Sequence, residues 1–139
     1  MADMPVHRLW LRVLFVALFL CVTFLTLTPN PVETESGFAF TRWLSSAILG
    51  DAENADKIGH FIAYAALAVS AFWARLFLYS RRWATMIGLA LYGIALEILQ
   101  GMGGVRSPEL ADAIANALGA LCGFLAAIGA AQIVRRRVL

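Results

Sequence analysis

The sequence predicts an all-α integral membrane protein: a four-helix bundle forming one domain over residues 1–139, with an outward loop able to hold an interfacial helix. Three observations predict it. Of 139 residues, 61% are hydrophobic and 14% charged, well beyond the apolar share of an ordinary soluble domain. Four apolar runs approach the roughly 17–25 residues of helix that a hydrocarbon core requires. Arginine and lysine gather on one side of those runs.

The runs are 9–27, 58–78, 84–100 and 110–133. Pro29 and Pro31 close the first. Arg81 and Arg82 divide the second from the third, and GMGGVRSPE divides the third from the fourth. The third is the shortest and carries Glu97 and Gln100 near its end. The first has the basic start and apolar centre of a signal peptide, but TLTPNP offers no small-x-small cleavage site, so it is read as an anchor. A lipoprotein reading fails because Leu20 precedes Cys21 where a small residue is needed. Cys21 and Cys122 fall mid-span, where thiols behave as small apolar residues and say nothing of redox compartment. In the long loop before the second run, residues 38–49 place Phe38, Trp43 or Leu44, and Ile48 or Leu49 at near-helical intervals, which suits an interfacial helix. An ordered loop packed on helix ends fits the same residues.

Orientation follows from charge. Arg8, Arg12, Arg75, Arg81, Arg82, Arg135, Arg136 and Arg137 lie on one side; Arg42, Lys57 and Arg106, with every acid except Asp3, lie on the other. The positive-inside rule then puts both termini in the cytoplasm and residues 28–57 and 101–109 outside. Trp10, Tyr79 and Trp83 fall where interfacial aromatics are expected. A net charge of +2 with no basic stripe interleaved with aromatics excludes nucleic acid, leaving membrane lipids as the implied partner.

This topology carries the ionisable groups of three helices to one membrane side. At 3.6 residues per turn, Asp56, His60 and Tyr64 share a face, as do Gly93, Glu97 and Gln100, and also Asp112, Asn116, Gly119 and Gly123. Gly119 and Gly123 form a GxxxG pair that Ala126 or Ala127 and Ala130 continue, a stripe that lets helix backbones approach closely in lipid. Some of these groups have ordinary explanations. Asp56 suits a helix start and Lys57 can snorkel to the interface. His60 can serve as an interhelical hydrogen-bonder. Asp112 can be a helix N-terminal acid, with Ser107 as N-cap and Pro108 at the first helical position. Glu97 is harder to explain that way, because a charge within a span costs about 2.5–3.5 kcal/mol at the centre on insertion scales. Arg106, His60 and Lys57 are its candidate partners.

DKIGHFIAY, then ALEILQGMGGVRSPELADAIANALGALCG, resembles the VanZ-like family of small membrane proteins. The matching positions are Asp56, Lys57, His60 and Tyr64, then Glu97, Gln100 and Arg106, then Asp112, Asn116 and Gly119. The resemblance covers about residues 56–123, so the first span and outer loop rest on composition alone. It implies a multi-pass protein of the bacterial cytoplasmic (inner) membrane, from a family named for a member associated with resistance to the glycopeptide teicoplanin.

The residues support an outward polar pocket for a lipid headgroup or envelope precursor, with Lys57, Tyr64, Glu97, Gln100, Arg106 and Asn116 as ligand-binding residues. Lys57 and Arg106 would hold phosphate or carboxylate, Arg106 in bidentate fashion, while Glu97, Asp112 and Asn116 position the cations and sugar hydroxyls. A catalytic version makes His60 the acid/base group, oriented by Asp56 or Asp112, since imidazole titrates near neutral pH. No nucleophile elbow, phosphate-binding loop or HExxH motif is present, and no cofactor is expected. Asp56, His60, Glu97 and Asp112 are metal-ligand types, but Lys57 and Arg106 would repel a cation, so no metal is expected either. The alternative is a non-catalytic assembly protein whose polar cluster locks its helices while its surface meets another membrane protein. A proton-coupled transporter is disfavoured, because no ionisable chain crosses to the basic side.

Overall fold

A computed structural model describes residues 6–27, 43, 45–48, 54–103 and 109–138. Four long helices account for most of them: α1 (Val6–Leu27), α2 (Ala55–Trp73), α3 (Arg82–Met102) and α4 (Leu110–Val138), with a 3-10 turn at Leu78–Ser80. Three of them, α1, α3 and the 110–136 stretch of α4, are long and apolar enough to cross a membrane. The third apolar run, the shortest by sequence, is thus a helix longer than expected. α2 is not among the three, because Asp56, Lys57 and His60 occupy its first two turns.

α2 also ends at Trp73 rather than Leu78, for a local reason. Leu76 N–H bonds to Ala71 O (3.0 Å) and Arg75 N–H to Phe72 O (3.2 Å), with Arg75 at φ 53°. This is a Schellman cap with arginine in the left-handed position that glycine usually fills. No glycine marks the stop, so the apolar run reads straight through it. The chain then turns over Thr85, whose hydroxyl donates to Leu76 O (3.0 Å) and accepts from Leu78 N–H (2.8 Å).

α2 packs against all three other helices, most extensively against α4, and among the described residues α1 does not reach α4. The core where they meet is Tyr64, Leu67, Ala68, Leu89 and Ala120, walled by Phe15, Phe19, Tyr92 and Phe124. α1 joins it through Phe19, stacked on Tyr92 at 4.4 Å, and through a hydrogen bond between the Thr23 and Tyr92 hydroxyls. Otherwise α1 is apolar on nearly every face, yet Thr26 is its one buried residue. Val6, Leu9, Trp10, Leu20 and Phe24 are all exposed. A helix apolar all round requires an apolar surrounding, which hydrocarbon supplies. Trp10, Tyr79 and Trp83 are exposed, as interfacial residues must be, and both cysteines are free thiols at exposed positions.

Of the proposed interfacial segment, Trp43 and residues 45–48 are helical, with Trp43 and Ile48 exposed and Ser45 fully buried. Ser45 therefore faces inward. The remainder of 38–49 lies outside the described residues.

Candidate functional site

The site is set by a parallel seam between α2 and α4. A Cβ at Gly119 would collide with the carbonyl oxygen of Phe61, and one at Gly123 with that of Ala65. Partner positions advance by four on both helices, so the two run in the same direction at backbone contact, as the GxxxG pattern requires. Ala120 and Ala127 continue the buried stripe, whereas Ala126 and Ala130 are exposed. Because Asn116 and Asp112 lie one and two turns before the first contact, the seam carries them to the start of α2.

Lys57 is the hub. Its ammonium donates to Glu109 Oε2 (2.8 Å) and Asp56 Oδ2 (3.0 Å) and pairs with Asp112 Oδ1 at 3.6 Å. Burial pulls the lysine pKa down, but the hydrogen bonds to Glu109 and Asp56 and the charges of Asp112 and Asp56 together outweigh it. The group is held above the ordinary lysine range.

One turn deeper, His60 Nδ1 lies 3.0 Å from Asn116 Oδ1 and Nε2 lies 3.9 Å from Asp112 Oδ2. An amide oxygen only accepts, so Nδ1 carries the hydrogen and Nε2 faces the carboxylate. Asp112 (2% exposed), Asn116 (1%) and Glu97 (4%) are all but removed from solvent. Glu97 completes the group from α3: one donor atom each from His60, Glu97 and Asp112 lie within 4.8 Å of one another. Asp56, Glu109 and Asp112 form a second such group. Below them Tyr64 is fully buried, its hydroxyl within electrostatic reach of Glu97 and without a hydrogen-bond partner. Gly93 makes room for this layer, since a Cβ there would stand 2.8 Å from the Asn116 Cβ.

Thus Asp56, Lys57, His60, Glu97, Asp112 and Asn116 come together as the sequence pattern proposes, with Tyr64 beneath. Gln100 is buried on the Glu97 face of α3. Arg106 lies outside the described residues, as do Ser107 and Pro108. His60 takes its orientation from Asn116, and the acid nearest to its other nitrogen is Asp112; Asp56 instead accepts from Lys57. Glu109 is the residue that sequence reasoning missed. Its carbonyl accepts from Asp112 N–H (3.1 Å) and Ala113 N–H (3.3 Å), so it sits at the N-cap of α4, where its side chain can swing across to Lys57. The signal was an acid three residues before Asp112, in line with the buried face.

Among the described residues the cluster holds four carboxylates, Asp56, Glu97, Glu109 and Asp112, against one ammonium. Three long apolar helices beside so much enclosed charge point to a class: a membrane protein with an internal polar site at one end. The chain belongs to the VanZ/LLP1 family, whose profile matches residues 12–134. That match takes in α1 and the loop after it, beyond the 56–123 stretch in which the resemblance was legible. Nothing among curated proteins or solved structures matches the chain.

Proposed function

We propose that the polar cluster is an outward-facing pocket that binds an anionic or sugar-bearing lipid headgroup or an envelope precursor. In this reading α2 is a fourth span, the four helices form one bundle, and both termini face the cytoplasm of a bacterial inner membrane. The observation that carries it is the enclosure of Glu97, Asp112 and Asn116 beside Lys57 and His60 at a single helix end, in a chain otherwise built for hydrocarbon. Polar groups at such a cost are kept where they touch a ligand or a reacting atom. Lys57 and Arg106 would hold the anionic group, and Asn116, Gln100 and Tyr64 would meet hydroxyls. An apolar groove of about 480 Å³ between α1 and α2, lined by Leu11, Leu14, Leu18, Phe61, Ala65 and Trp73, begins one residue from His60 and suits an acyl chain. A catalytic extension would have the Asn116-oriented imidazole of His60 move a proton to or from the headgroup, with Asp112 stabilising its charged form.

The test is binding of a panel of envelope lipids and precursors to the purified chain, by native mass spectrometry and thermal shift. At least one of Lys57→Ala, Glu97→Ala and Arg106→Ala should remain folded and bind at least tenfold more weakly. Parental binding in all three refutes the reading. One observation favours a second reading, a cluster that only locks the helices within an assembly protein: Lys57 already meets three carboxylates of its own chain. In that case folding and function are lost together in every variant.

A further inference from the structure

The hub around Lys57 and the layer beneath it differ in how their charges are met. Lys57 is engaged by Asp56 and Glu109 at hydrogen-bond distance, and only its longer, 3.6 Å contact reaches Asp112. The repulsion that Lys57 would exert on a cation is therefore largely spent on its own neighbours, while Arg106, the other cation that weighs against a metal by sequence, lies outside the described residues. Asp112 Oδ1 is buried without a hydrogen bond. Its other oxygen faces His60 Nε2 at 3.9 Å, too far for a hydrogen bond. With the Nδ1 hydrogen directed at Asn116, the neutral form of the ring presents its Nε2 lone pair to a carboxylate, an arrangement that a shared cation satisfies.

We propose that His60 Nε2, Glu97 and Asp112 bind one divalent transition-metal ion, with Asn116 as the group that orients the histidine. A ring nitrogen held through its other N–H by a carbonyl oxygen is the usual second-shell arrangement of a metal-bound imidazole. Donor atoms sharing an ion at about 2.1 Å lie about 3–3.5 Å apart, so a set already within 4.8 Å needs side-chain adjustments of about 1 Å. One nitrogen and two carboxylates favour Zn²⁺ or Mn²⁺ over Mg²⁺ and Ca²⁺, which prefer all-oxygen sets. The two carboxylates neutralise the ion. Bound there, the ion would also add positive charge to a cluster that is net negative among the described residues. This inference does not rest on headgroup binding, and either can fail alone because metal is measured with no lipid added.

Tag-free full-length protein in detergent is stripped with chelator, reloaded with Zn²⁺ or Mn²⁺, and its bound metal measured per chain by elemental mass spectrometry. About one ion per chain is expected, with a higher melting temperature than the stripped form. His60→Ala and Asp112→Asn should fall to background, while His7→Ala at the exposed start of α1 keeps full occupancy. Asn116→Ala should retain the ligands but weaken affinity about 10- to 100-fold. Background metal in the parent, or full occupancy in folded His60→Ala, overturns the proposal. If His60→Ala fails to fold, Mn²⁺ titration of the parent followed by electron paramagnetic resonance decides it: an unchanged aqueous spectrum overturns the site.

Discussion

The two ends of α2 both hold cations, and they treat them in opposite ways. At the start, Lys57 lies among Asp56, Glu109 and Asp112, and charge meets charge directly. At the far end, Arg12 reaches the Ala74 carbonyl at 3.4 Å, and the Arg82 guanidinium lies 5.3 Å and 5.5 Å from the Phe72 and Phe77 ring centres. Arg81 stands over Trp83 in the same manner. Carbonyls and ring faces accept a cation without demanding one geometry, and Arg81 and Arg82 stay exposed. Carboxylates gathered around a lysine, with Asp112 buried among them, make a stricter demand, because each partner removed leaves a charge less compensated. The acidic end is therefore the place of fixed geometry, and the basic end a place where residues can be exchanged.

The sharpest way to break this contrast is to part α2 from α4. Gly119→Leu should destabilise by about 3 kcal/mol or more, since the neighbour that must yield is backbone. The measurement is the yield of monodisperse protein and its thermal midpoint. Lys57→Met comes next, at about 2–3 kcal/mol, below the full cost of breaking a buried pair because 24% of the lysine side chain is exposed.

Its pH dependence is informative. The folded pKa of Lys57 is raised, so its contribution is complete below the unfolded value near 10.4 and fades only as pH climbs through the folded one. The stability gap between parent and Lys57→Met should thus stay level from about pH 6 to pH 9 and shrink only in stronger alkali. A gap that closes near neutrality would mean the ammonium is not held as described.

At the basic end, Arg82→Leu should cost no more than about 1 kcal/mol, the scale of an exposed cation–π contact. The smallest effect has the opposite sign. Arg75→Gly relieves a left-handed arginine and should stabilise by up to about 1 kcal/mol, seen as a higher thermal midpoint.

Much of this was legible in the sequence because membranes simplify the grammar. Apolar runs located α1, α3 and α4, and helical spacing put Asp112, Asn116, Gly119 and Gly123 on one face, which is buried as a single stripe. The buried face of α3, with Gly93, Glu97 and Gln100, was equally readable. The end of α2 was not. Its stop depends on two hydrogen bonds around a left-handed arginine, and no residue type announces them. Glu109 escaped for another reason: periodicity ranks residues within a helix, and Glu109 stands just before one.

The glycine seam also dictates an order of events. α4 is the last of these helices to leave the ribosome, so Asp56, Lys57 and His60 are already made while their partners Glu109, Asp112 and Asn116 are still to come. Only when the final helix slides alongside does the lysine acquire its full set of counter-charges. The site is thus a latch that closes only once α4 has been made, and a nascent chain without that helix lacks Glu109, Asp112 and Asn116 with which to close it.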